Sequence, residues 1–303
     1  MGSLKYQVVT CLNSLKAFGV SRQEAQQAGV ADKLIFSVGT ISTYCQLNVV
    51  FAEWCRDQYG TRRLADITSE MADAFLADRR NRALSPATIN TYVCAIKKLD
   101  TGMRQMGWRR ETAPLLVTAQ DGRRADVIAD PYSVEDAERL IAALARIDKQ
   151  YGQVARLQRI SGLRISEAVH LQTACIVSDG SQIVLSGPGI HTKGGRPRQV
   201  PILPQHQPWL VELKAQGQAD GHAFWHRQSL AAAVKRSTSR LGGKLGISAG
   251  HGTHSFRKLY ANELFHYLCR ERGYSNGEAR LLVSQALGHN RIEVLKAYMG
   301  NTA

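Results

Sequence analysis

From Thr40 to Trp54 the apolar residues Ile41, Tyr44, Leu47, Val50, Phe51 and Trp54 recur at intervals of three and four. No stretch before residue 112 alternates polar and apolar as a half-buried strand must. That spacing puts a single apolar stripe on a helix, and such a stripe has to be covered by other helices. A second helix is expected near Thr68, with Met71, Phe75 and Leu76 inward. A third follows Ser85-Pro86, where serine caps and proline fills the first turn, with the stripe Ile89, Tyr92, Val93, Ile96, Leu99 and Met103. Residues 35–112 therefore read as a helical bundle with short connections. Residues 1–34 have helical character without a well-defined stripe and read as an N-terminal helical extension.

The periodicity fades over residues 113–130, where the run from Ala119 to Asp126 is polar and turn-rich, as in an interdomain linker. A second domain over 131–303 opens at Ser133, with capping-box character completed by Asp136 and a stripe of Val134, Ala137, Leu140, Ile141 and Leu144. The pattern then changes. Cys175–Val177, Gln182–Leu185 and Gln199–Ile202 are short β-prone runs separated by Asp179-Gly180 and the Gly/Pro/Arg-rich stretch 187–198, predicting three antiparallel strands. Helical patterns return over Ser229–Leu245, from Thr253 as a capping residue, over Asn276–Leu287 and over Asn290–Met299. The fold class is thus mainly α with a small antiparallel sheet, in two domains, one helical and one mixed.

The 303 residues carry 39 Lys and Arg against 25 Asp and Glu, a formal charge of +14. Such an excess points to a polyanionic partner. It is uneven: 17 basic and 13 acidic residues lie up to residue 130, and 22 and 12 beyond it. The six cysteines are widely spaced with no C-x-x-C pair, which argues against a zinc ribbon or a disulfide framework and for reduced thiols in the cytoplasm. No segment has the length and apolarity of a membrane span or the layout of a signal peptide.

Four stretches concentrate chemically active residues: Ser161-Gly-Leu-Arg164-Ile-Ser-Glu167, His191-Thr-Lys193-Gly-Gly-Arg196, Thr253-His254-Ser-Phe-Arg257, and Leu287-Gly-His289 with Tyr298 nine residues on. Singly, each has an ordinary explanation: Arg164 as a surface arginine paired with Glu167, Lys193 as a solvated hairpin tip, His254 as a hydrogen-bonded structural histidine. Together they answer one chemical need. Splitting a phosphodiester without a metal requires cations at the non-bridging oxygens, and two arginine forks suit them. It also requires a nucleophile and a proton donor for the leaving oxygen, which Tyr298 and Lys193 could supply. A phenol with a pKa of ~10 needs a cationic, hydrogen-bonding site to attack at neutral pH.

The order Arg164, Lys193, His254-x-x-Arg257, Leu-Gly-His289 and Tyr298 resembles the signature of the phage-type integrases, the tyrosine recombinases. Thr40-Ile-Ser-Thr-Tyr44 with Trp54-Cys55, and Leu84-Ser-Pro-Ala-Thr-Ile89, are similar to that family's core-binding domain, so the likeness spans about residues 35 to 303. The resemblance implies a two-domain architecture, a helical core-binding domain over 35–112 and a mixed catalytic domain over 131–303. It implies a site-specific recombinase, an integrase or transposase, that joins DNA through a 3′-phosphotyrosine and a Holliday junction. Tyr298 would attack, Arg164 and Arg257 would clamp the phosphate, His254 and His289 would assist, and Lys193 would protonate the leaving 5′ oxygen. Glu167 would position Arg164 or its helix. Arg196, Arg198, Lys97 and Lys98 are expected on the DNA. No cofactor or metal is implied. The partners would be a double-stranded recombination site, a dimer on each site, a tetrameric synapse and an accessory directionality factor, in the bacterial cytosol.

Two features depart from the family pattern. His254 and His289 are 35 residues apart, a longer interval than usual, owing to the polar insert at Arg270–Gly277. Only five residues follow Tyr298, so a protomer contact made elsewhere, or a truncated chain, is implied. Tyr274 in the insert is the rival nucleophile; Tyr260 and Tyr267, seven apart on one helix face, read as core. His222 and His226 have a metal-ligand spacing but lack a third ligand. Competing functions are a type IB topoisomerase, which shares the chemistry, and a cleavage-deficient DNA-binding protein, which would need neither Tyr298 nor His289.

Overall fold

The helices of the N-terminal half start at Ser and Thr caps. The computed structural model describes residues 2–110, 114, 115, 117, 130–187, 189, 190, 192, 197–225, 227–247, 251–289, 295 and 298, and divides into two compact units, Met1–Val127 and Ile128–Ala303. In the first unit the helices α1 (Leu4–Asn13), α2 (Arg22–Gln27), α3 (Val38–Tyr59), α4 (Ser69–Asn81) and α5 (Pro86–Gln105) follow Ser3, Ser21, Ser37, Thr68 and Ser85. Each of these hydroxyls accepts the backbone N–H three residues on. The stripes of α3, α4 and α5 meet around Phe75, whose ring lies 5.0 Å from Phe51, 5.5 Å from Trp54 and 5.2 Å from Tyr92.

The N-terminal residues are no loose extension. Leu4, Val8, Cys11, Leu12 and Leu15 belong to the same core as Phe51 and Leu99. Cys11 donates its thiol hydrogen to the Leu99 carbonyl at 3.3 Å, and Gln7 accepts from the Leu64 backbone at 3.0 Å. Gly102 on α5 lets α1 approach: a Cβ there would stand 2.6 Å from the Cys11 sulfur and 2.7 Å from the Cys11 carbonyl oxygen. Buried Asp100 accepts from the Leu115 backbone at 3.0 Å and pairs with Arg104, which ties the chain after α5 to this unit.

The second unit contains α6 (Val134–Ile147), α7 (Lys149–Ser161), α8 (Ile165–Val169), the strands β1 (Gln182–Leu185) and β2 (Arg198–Pro201), then α9 (Gln207–Ala215), α10 (Arg227–Lys244), α11 (Thr253–Arg270) and α12 (Asn276–Ala286). The strands pair antiparallel, Gln182 opposite Pro201 and Leu185 opposite Arg198, with Ile183, Leu185 and Val200 turned inward. Around them Leu163, Phe224, Tyr260, Leu264 and Val283 form one core; Tyr132, Leu140, Leu144 and Phe256 form another.

Two local expectations are corrected. The sheet among the described residues has two strands, not three. The Cys175–Val177 run closes a short 3-10 turn, and the Asp179-Gly180 reversal follows too soon for more than the single bridge Ile176–Ile183. Thr253 does not cap α11 but is its first residue; Gly252 holds the cap position and offers no side-chain bond. The polar insert resolves into the end of α11 and a reciprocal cap on α12, in which Ser275 and Glu278 bind each other's backbone N–H. Most of the helix expected over Asn290–Met299 lies outside the described residues. No described helix is long and apolar enough to cross a membrane.

Candidate active site

Two glycines in the left-handed region aim the site. Gly162 (φ +60°) ends α7 and turns the chain so that Arg164 caps α8; Gly288 (φ +68°) follows α12 and delivers His289. At Gly162 a side chain is also excluded by space, since a Cβ would stand 2.3 Å from the Tyr260 ring. Tyr260 is fully buried and donates its hydroxyl to the Pro201 carbonyl at 2.8 Å, a packing role.

Arg257 on α11 lies between these turns. It is fully buried and donates through its two terminal nitrogens to the Gly162 and Leu287 carbonyls, joining the Arg164 stretch to the Leu-Gly-His stretch. Burial pulls its guanidinium down to about 10, with Tyr298 opposing, so it stays charged at neutral pH. Tyr298 lies against this arginine, its ring centroid 5.7 Å from the guanidinium carbon. Nε2 of His289 is 3.1 Å from the Tyr298 phenolic oxygen, and the His254 ring centroid is 5.3 Å from that of Tyr298. His254 keeps an edge open to solvent, yet partial burial and then the charges of Arg257, Lys258 and Arg164 push its imidazole down to about 4. It is therefore a neutral hydrogen-bonding group at pH 7.

Glu167 organises the other side. Its carboxylate accepts from the Arg164 backbone N–H at 2.8 Å and from the Arg164 side chain at 2.9 Å. Arg198 adds a two-pronged contact at 3.1 and 2.6 Å. Burial works against the Glu167 charge, but the bonds and charges of Arg198 and Arg164 outweigh it and hold the acid at about 2.

The structure thus brings Arg164, Glu167, His254, Arg257, His289 and Tyr298 into one neighbourhood. Lys193 and Arg196, on the segment between the strands, lie outside the described residues. Two expected DNA contacts turn inward instead. Arg198 is buried against Glu167, and the Lys98 amine donates to the Asp32 and Leu34 carbonyls within the first unit, half-buried and lowered in pKa by that burial. The sequence places both on the DNA because a single sequence does not show what a side chain turns towards. Lys97 is exposed. Tyr274, the rival nucleophile, lies beyond α11 in a groove with Pro201, Tyr267 and Leu282. Among the described residues no three His, Cys, Asp or Glu side chains converge as a metal site would need; His226 lies outside them.

Comparison with known proteins agrees with this geometry. The tyrosine recombinase XerD of Caulobacter vibrioides is 28% identical over 255 residues, 78% of this chain and 77% of its own length. In fold, the chain is similar to the XerH site-specific recombinase in a post-cleavage complex with its difH substrate, with a TM-score of 0.60 and 19% identity over 97% of this chain and 85% of that one. It is also similar to a lambda integrase dimer bound to a COC′ core site, with a TM-score of 0.63 and 14% identity over 93% and 95% of the two chains. The model of the phage integrase family matches residues 133–303, more than half of the sequence, and this protein therefore belongs to the phage integrase family of tyrosine recombinases.

Proposed function

We propose that this recombinase cuts and rejoins duplex DNA at a specific site through a covalent link to Tyr298. The observation that carries the reading is the setting of the phenol, within 3.1 Å of His289 Nε2 and beside the buried charge of Arg257. The phenolic oxygen attacks the scissile phosphorus and the bond to the 5′ oxygen breaks. His289 takes the phenolic proton, and Lys193 gives a proton to the departing oxygen. Arg164 and Arg257 neutralise the non-bridging oxygens, and neutral His254 donates a hydrogen bond to one of them. The 3′-phosphotyrosine conserves the energy of the broken bond, so a 5′-hydroxyl from a partner strand can reverse the attack without a nucleotide cofactor. Exchange of two strand pairs in this way passes through a Holliday junction, which calls for a dimer on each site and a tetramer in the synapse. An accessory directionality factor and a bacterial cytosolic setting complete the reading.

The test is an adduct assay on nicked suicide duplexes, recovered by binding selection from a random-sequence pool. Wild type is expected to give a covalent protein–DNA band on a denaturing gel, and Tyr298→Phe none while still binding the duplex. An adduct formed by Tyr298→Phe but lost in Tyr274→Phe would move the nucleophile to the insert. Binding without any adduct would favour a cleavage-deficient DNA-binding protein.

A further inference from the structure

Arg198 has the surroundings of a residue that sets up a site rather than one that touches the ligand. Its side chain is 6% exposed, and three of its five donors are committed: two to the Glu167 carboxylate and one, from Nε, to the Ala286 carbonyl at 3.1 Å. Its stem runs against Gly288, where a Cβ would stand 3.2 Å from Arg198 Cδ. One side chain at the start of β2 therefore holds the end of α12 and the acid at the start of α8.

Charge counting shows what this achieves. Glu167 is 1% exposed and ionised, and two guanidinium groups share it. With both present, the cluster of one acid and two arginines keeps a net positive charge, and Arg164, bound at one terminal nitrogen, retains free donors. With Arg198 gone, Glu167 would be balanced by Arg164 alone. The two would draw together as a two-pronged pair, and the fork would be turned away from a phosphate.

We propose that Arg198 is a positioning residue for strand cleavage: it neutralises Glu167 so that Arg164 is left for the scissile phosphate, and it fixes the turn that presents His289. This rests on the reading of Arg164 as a phosphate clamp. Arg198→Met is expected to lower single-turnover cleavage at saturating duplex by about 10²-fold, the scale of a misplaced catalytic group. Its Kd for the duplex and the slope of log Kd against log salt should be unchanged. Arg198→Lys keeps the charge and most of the stem and should recover part of the rate; thermal melting establishes that each variant is folded, and the lysine variant carries the test if the methionine one is not.

A duplex with a neutral methylphosphonate at the scissile position supplies the second readout. It lacks the anion that Arg164 neutralises, so both Arg164→Ala and the Arg198 variants should lose less activity on it than on the natural phosphate. Weaker binding with a salt slope reduced by about one, at an unchanged saturated rate, would make Arg198 a DNA contact and overturn the proposal. Recovery on methylphosphonate for Arg164→Ala but not for the Arg198 variants would overturn it while sparing the clamp reading. No recovery for Arg164→Ala would bring down both.

Discussion

His206, Arg159 and Glu263 show how much a buried charged group can depend on its neighbours. Arg159 makes a two-pronged pair with Glu263 at 2.7 and 2.8 Å, and its NH1 lies 3.3 Å from His206 Nε2. Glu138 and Arg156 complete the surroundings, and burial together with the Arg159 charge pushes the histidine down to about 4. The unfolded chain takes up this proton near pH 6.5, the native state only near 4, so acid favours unfolding. Stability that is fully present at pH 7 should fall as pH drops through that window, by about 1–2 kcal/mol at pH 5 once solvent screening is allowed for. Melting curves at pH 7 and pH 5 should show a smaller loss in Tm for His206→Gln than for wild type; equal losses would remove His206 as a source of acid sensitivity. The stretches that hold Gly162 and Gly288 were legible in the sequence, but the left-handed turn at Gly162, between Ser161 and Leu163, was not marked by its neighbours. The inward turn of Arg198 was not legible either, because its partner Glu167 lies 31 residues away.

At the scale of elements, α3 and α5 could be read directly because each carries several turns of apolar stripe. α1 could have been: Leu4, Val8, Cys11, Leu12 and Leu15 keep the helical interval, but over only ten helical residues the stripe is too short to stand out against a polar background. Its close contact with α5 makes a sharp prediction. Gly102→Val must push against the Cys11 sulfur and carbonyl and should destabilise the first unit by about 1–3 kcal/mol. Gly242→Ala in α10 meets nothing within 4 Å and should stabilise by about 0.5 kcal/mol through helix propensity alone. Denaturant melts of the two variants measure both; a neutral Gly102→Val would mean that α1 can be displaced without loss. The third strand failed for a related reason, since β-prone residues at Cys175–Val177 could not announce that the backbone before them bonds to Gly221.

For the molecule as a whole, a formal charge of +14 makes DNA affinity depend on salt, and the dependence separates cations that meet phosphate from cations spent inside the protein. A recombinase that neutralises 6 to 10 phosphates should lose about 10³ to 10⁵ in affinity between 50 and 200 mM salt. Each residue that contacts a phosphate contributes about one to that slope. Lys97, which is exposed, and Arg196 are the two remaining expected DNA contacts, and each should lower the slope by about one when changed to alanine. Lys98→Ala should leave the slope alone and lower Tm, because its amine holds the Asp32 and Leu34 carbonyls. Anisotropy titrations of the selected duplex across a salt series give all three slopes at once. A slope that falls for Lys98→Ala and not for Lys97→Ala would mean that DNA draws the Lys98 amine away from its carbonyls, and the bundle's contact with DNA would then have to be placed on the other face of α5.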